Sequence, residues 1–98
     1  MKGTNAWTFK EVTTFLTQNH FKHIHTEGSH YLYYGLVDGE ERLVEVQYHS
    51  GSYIKQGTLE KSIINKSGIP SKFWKEYTKL PPNKRKKYIY IKAEIPKI

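Results

Sequence analysis

Three short segments with a period of two, joined by glycine-bearing turns and flanked by helical stripes, constrain this chain most. Residues 21–26 alternate, Glu27-Gly28-Ser29 turns the backbone, and residues 30–34 alternate again. Asp38-Gly39 is the dipeptide of a tight hairpin, and residues 42–48 form the next alternating run, with Val44, Val46 and Tyr48 on one face. Links this short predict three antiparallel strands, because parallel neighbours need a crossover of a dozen residues or more.

Helical patterns stand on both sides of this meander. Thr8 and Glu11 have N-cap and N3 spacing, so each side chain can satisfy the other's free backbone donor, and Trp7 and Val12 fit a hydrophobic staple. Phe9, Val12, Phe15 and Leu16 make one apolar stripe up to about Gln18, with Asn19 and His20 as a left-handed exit. A second helix opens near Gly57-Thr58 with Leu59, Ile63 and Ile64 on one side. It ends at Gly68, where Ile69 reaches back to Ile64 and Pro70 bars continuation. A short helix over 71–77 offers Phe73, Trp74 and Tyr77 for packing. The order α-β-β-β-α, with both helices on one sheet face, predicts an α+β sandwich with a short extra helix. Double-stranded-RNA-binding domains have this order.

Composition bounds the function. The 98 residues suffice for one core, and the lack of cysteine excludes disulfide frameworks, Cys-based zinc sites and thiol nucleophiles. No apolar run approaches the roughly 20 residues of a membrane span, and the N-terminal residues lack the apolar stretch of a signal peptide. The expectation is a soluble cytoplasmic protein with no membrane partner. Charge is concentrated at one end. Residues 1–78 hold 9 Lys and Arg against 8 Asp and Glu, whereas residues 79–98 hold 7 against Glu94 alone. The chain therefore divides into a nearly neutral domain, 1–78, and a basic extension, 79–98. In that extension 80–83 is a linker, Lys84, Arg85, Lys86 and Lys87 form a basic run, and 88–95 alternates with Ile89, Ile91, Ala93 and Ile95 on one face. That face needs burial, so 88–95 is expected to pair as a strand with an exposed sheet edge, in its own chain or in a second copy, the latter giving a homodimer. Pairing would set Lys84, Arg85, Lys86 and Lys87 beside the sheet as a strip for RNA phosphates.

Two blocks of residues resemble the HicA toxin family. Gly28-Ser29-His30-Tyr31 before a hairpin looks like that family's G-S-H motif. Val44-Glu45-Val46-Gln47-Tyr48-His49, then Ile54-Lys55-Gln56-Gly57-Thr58-Leu59 and Ser67-Gly68-Ile69, resemble its second block: a V-x-V strand, a His-containing loop, and I-x-x-G-T-L opening the last core helix. The resemblance covers about residues 8–77. It implies a double-stranded-RNA-binding-like fold and a metal-independent endoribonuclease that cleaves messenger RNA, an mRNA interferase of a toxin–antitoxin system. The catalytic histidine would be His30, and a HicB-like antitoxin would cover the site. Two positions depart from the pattern. His20-Phe21 stands where members often have Gly-Trp or Gly-Phe, and His25 stands where many carry an arginine, a planar phosphate donor.

The residues themselves suit this chemistry. RNA cleavage needs a 2′-hydroxyl deprotonated and phosphate charge neutralised, and histidine can exchange that proton near neutral pH. Gly28 lets backbone approach closely, and Ser29 can bind a phosphate oxygen. His49 is a candidate partner acid or a polar loop residue. Lys55 and Lys61 flank the start of the second helix, and Tyr31, Tyr33 and Tyr34 can stack bases, though alternation puts some of them in the core and leaves only one face available. His23 and His25, two apart on one strand, with His20 nearby, invite a metal reading, but only Glu27 stands close enough to extend the set, and no metal is expected. Phosphate-loop and dinucleotide fingerprints are missing, so no cofactor is expected. The competing class is a module on the same fold that binds RNA or a protein without cutting.

Overall fold

The Thr8 hydroxyl accepts from the Glu11 N–H, and the Glu11 carboxylate accepts from the Thr8 N–H, so helix α1 (Phe9–Gln18) starts with the reciprocal cap its sequence spells. This is read from a computed structural model, which describes residues 7–48 and 53–96. The stripe Val12, Phe15 and Leu16 is fully buried. At the exit Asn19 keeps a negative φ, and His20 takes the left-handed step with φ 72°.

Strands β1 (Lys22–Glu27), β2 (His30–Val37) and β3 (Glu40–Gln47) form an antiparallel meander with β2 in the centre. Both turns have the backbone twist that favours hairpins. Only Gly28 is positive in the first (φ 61°), whereas Asp38 (φ 55°) and Gly39 (φ 79°) both are in the second, the type I′ pattern. Tyr33, Val37, Val44 and Val46 are buried on the side that meets the helices. The other face of the sheet, bearing His30, Leu32, Tyr34, Leu43 and Glu45, has no layer over it among the described residues. The order is helix, three antiparallel strands, then helices, an α+β sandwich of the α-β-β-β-α type.

A continuous second helix, 56–67, lies against β3. Its middle, Leu59–Ile64, is a π-helix, a widened turn that the sequence pattern did not announce. Leu59, Ile63 and Ile64 are all buried, and the helix ends at Gly68 in the left-handed conformation (φ 76°). The third helix (Ser71–Lys79) brings Trp74 and Tyr77 onto Trp7 and Phe15. Ring centroids lie 4.2 Å apart for Phe15 and Trp74, 4.8 Å for Phe15 and Tyr77, and 5.0 Å for Trp7 and Trp74.

The basic extension departs from its expected form. A strand exists, but it is only β4 (Ala93–Glu94). It pairs with Leu36 and Val37 of the central strand, beyond the point where β1 begins, and so continues the line of β1 rather than adding to an outer edge. Of the face expected to be buried, only Ala93 is. Ile91 is 89% exposed and Ile95 66%, while Tyr88 stacks on Phe73 at 4.3 Å and Tyr90 meets the same ring edge-on. The cause is that 88–92 is not a strand, so period two does not decide its faces. Its backbone is held by side chains instead. The Gln18 amide donates to the carbonyls of Arg85 and Tyr88, and the Asn19 carbonyl oxygen accepts from the Tyr90 N–H at 2.7 Å. The Asp38 N–H donates to the Lys92 carbonyl, which fastens the tail to the β2–β3 turn.

Two outcomes test this packing. A Cβ added at Gly35 would stand 2.6 Å from the Phe21 ring, so Gly35→Ala should lower stability by about 1–3 kcal/mol in urea unfolding, and Phe21→Leu in the same chain should recover part of the loss. Burial first, then its hydrogen bond to Glu76, pushes the Tyr88 phenol up to about 12. A folded-state value above the ordinary 10 means that this contribution to stability is whole below pH 10 and fades as pH rises toward 12. Absorbance titration should show late-ionising tyrosine that Glu76→Gln moves to lower pH.

Candidate functional site

The register of the meander decides what stands beside His30. Val37 pairs with Glu40 across the second turn, so His30 pairs with Gln47, and Glu45 is its diagonal neighbour on the same face. The diagonal closes as a side-chain contact: His30 Nδ1 lies 2.5 Å from Glu45 Oε2, both side chains about half exposed. Leu32, Leu43, Thr58, Ser62 and Lys66 complete a shallow groove around this pair. Thr58, Ser62 and Lys66 recur every four residues along the second helix and so share one face of it. The groove thus has a strand wall carrying the imidazole and a helix wall carrying two hydroxyls and one ammonium.

An imidazole whose Nδ1 is engaged by a carboxylate is held in one orientation, with its Nδ1–H donating and its Nε2 lone pair left for another partner. This is the geometry of a general base whose tautomer is fixed by its neighbour. Ser29, in the turn before His30, is exposed, and its carbonyl accepts from the Tyr48 N–H at 2.7 Å, which seats the turn on the end of β3.

Other residues singled out in the sequence fall elsewhere. Strand alternation sends Tyr31 to the helix side, where it packs edge-on against Phe9 at 5.0 Å, so it does not share a face with His30. Tyr34 is the tyrosine on the open face, and its hydroxyl donates to Glu41. That bond, then burial, raises its pKa above the ordinary phenol value. Lys55 and Lys61 are exposed but do not line the groove. His49 lies outside the described residues. The basic run opens in a short helix, Pro82–Arg85, and Arg85 and Lys86 stand against α1 and the third helix rather than as a strip beside the sheet. Arg85 is turned inward: its Nε and Nη2 donate to the carbonyls of Leu80 and Thr78, and its guanidinium lies 5.4 Å from the Tyr77 ring centre.

The histidine pair is separated by a bulge. The register slips between His23 and His25, so His23 faces the helices beside Tyr31 and Tyr33, while His25 points to the open side, 3.8 Å from Glu27. The shared face read from the two-residue spacing does not exist. Among the described residues no group of three His, Asp or Glu side chains is placed to hold a metal ion.

The sequence reading missed Glu45, Thr58, Ser62 and Lys66 as site residues. The first was readable from the hairpin register once Asp38-Gly39 was taken as the turn, and the others from their spacing of four. Comparison with known proteins adds no relative: no family model, curated protein or solved structure matches the chain.

The His30–Glu45 contact has its own test. In the neutral ring, imidazole nitrogen shifts should report the Nδ1–H form at His30, and Glu45→Ala should shift the ring toward the Nε2–H form without unfolding the chain.

Proposed function

We propose that the chain is a cytoplasmic ribonuclease toxin of the HicA type, an mRNA interferase that cuts RNA with His30 as its general acid/base and needs no metal. The observation that carries this reading is the His30–Glu45 pair in a groove that also offers Lys66, Ser62 and Thr58. In the proposed reaction Nε2 of His30 takes the proton of a 2′-hydroxyl. The 2′-oxygen bonds to phosphorus, the bond from phosphorus to the 5′-oxygen breaks, and that oxygen leaves with a proton from water. The products are a 2′,3′-cyclic phosphate and a 5′-hydroxyl. Lys66 sets positive charge beside the phosphate, and the hydroxyls of Ser62 and Thr58 donate to its oxygens. A HicB-like antitoxin fits the same reading as a protein that covers the open sheet face, where Leu43 of the groove stands about half exposed.

One observation favours a second reading, a module that binds a protein partner without cutting RNA. Glu27, Glu41 and Glu45 share the open face with His30, and carboxylates repel a phosphate backbone. Cleavage separates the two. His30→Ala should keep its fold and lose about 10²–10⁴-fold in cleavage rate, the usual contribution of a positioned acid–base group. Excess EDTA should leave the wild-type rate unchanged. Full cleavage by folded His30→Ala sinks the assigned role, and a folded wild-type chain that neither binds nor cuts RNA favours the protein-binding module.

A further inference from the structure

Cross-strand pairing sorts the open sheet face into a spine and two rims. The spine is β2, which sends His30, Leu32, Tyr34 and Leu36 to that side. Leu43, opposite Tyr34, widens it and is 51% exposed. Leu32, Tyr34 and Leu36 are half-buried, with nothing among the described residues over them. Carboxylates stand on both rims. Glu27 of β1 and Glu94 of β4 lie on one side, and Glu41 and Glu45 of β3 on the other. Two lysines border the same face, Lys22 opposite Tyr34 and Lys66 on the helix wall of the groove. With its histidines neutral the face is therefore negative, in a chain whose formal charge is +7. Its dimensions suit one helix. The rims are two strand spacings apart, roughly 10 Å, close to the diameter of an α-helix. From His30 to Leu36 the spine runs roughly 20 Å, the length of about thirteen helical residues.

We infer that this face docks a basic amphipathic helix of another protein. Its apolar stripe lies on Leu32, Leu36 and Leu43, and its flanking lysines and arginines meet Glu27, Glu41 and Glu94. Charge and shape select this occupant. An RNA strand would set its phosphates against the carboxylates and leave the leucines without a partner. A second copy of the chain does not fit. Two such faces would bring negative charge against negative charge, and the chain's helices have already turned their apolar stripes to its own core. The presence of a protein on this face rests on the readings above. What that protein must present comes from the face itself and needs no cleavage step.

The test is an NMR titration of the full-length chain with synthetic peptides of about 14 residues that fold as helices. One has a leucine stripe flanked by lysines, and a second has the same stripe flanked by glutamates. A third has the composition of the lysine peptide in scrambled order. Saturable shifts at the backbone amides of Leu32, Tyr34, Leu36 and Leu43 are expected with the first alone, weakening as salt is raised. The double variant Glu41→Lys, Glu94→Lys, whose own spectrum reports its fold, should weaken binding by about tenfold as exposed ion pairs are lost and reversed. Leu43→Ala, at an exposed site outside the core, should weaken it by about fivefold, part of the burial of one leucine. Equal binding of the glutamate or scrambled peptide, shifts confined to the helical layer, or no binding at all would overturn the inference. If RNA is then still cut in a way that depends on His30, only the docking surface falls. If the lysine peptide binds as expected to a chain that cuts no RNA, the docking surface stands and the ribonuclease reading falls.

Discussion

Phe15 is the residue on which the arrangement of helices depends. Its ring meets Trp7, Phe73, Trp74 and Tyr77, so one side chain of α1 joins the N-terminal segment to the third helix. A helix of only ten residues is marginal by itself in water, and packing of this kind is what holds it. Edge-to-face pairs in such a cluster add about 0.5–1.5 kcal/mol each beyond the area they bury. The consequences run outward. With Trp7 pinned, its carbonyl accepts from the Ile54 N–H, and Thr8 bridges to Tyr53, which fixes the chain just before the second helix. That helix then lies along β3 and sets Thr58, Ser62 and Lys66 opposite His30. A groove on one side of the sheet is therefore positioned by aromatic packing on the other.

Most of the architecture was legible because local signals agreed with one another. The capping box, the two turns and the left-handed Gly68 each appear where their residue types require them. The tail was legible as ordered but not in its form. Reading 88–95 by period two assumed a strand, and the assumption assigned burial to the isoleucines. The hydrogen bonds that organise this segment come from Gln18 and Asn19, about 70 residues earlier in the chain, and no local pattern announces a contact of that range. Phe73 then offers a flat ring on which Tyr88 stacks, ring centres 4.3 Å apart.

The candidate site was half legible for a similar reason. His30 stood out, and the hairpin register contains Glu45 once the turn is placed. What the sequence hides is each irregularity: the bulge that parts His23 from His25, and the widened turn at Leu59–Ile64. A single extra residue in a strand reverses every face assignment before it, so a spacing of two loses its meaning there. Tyr31 fails as a neighbour of His30 for the opposite reason. The strand is regular, and regular strands put adjacent residues on opposite faces.

The charge distribution has a further consequence for how the two surfaces share work. The formal charge of +7 is not expressed where His30 stands. The open sheet face holds carboxylates, and Arg85 and Lys86 of the basic run stand against α1 and the third helix. The molecule measures 37 × 32 × 23 Å, and at physiological salt the screening length is about 8 Å. Cations on the helical layer therefore cannot neutralise a phosphate lying against His30, though they can raise the local concentration of a polyanion. Neutralisation in the groove falls to Lys66, the one lysine that lines it. It must work against Glu45, whose charge a neutral imidazole does not offset. In the proposed cleavage such a groove would hold a phosphate weakly at rest and favour it more once the imidazole had taken a proton, the moment at which negative charge would grow on the phosphate oxygens.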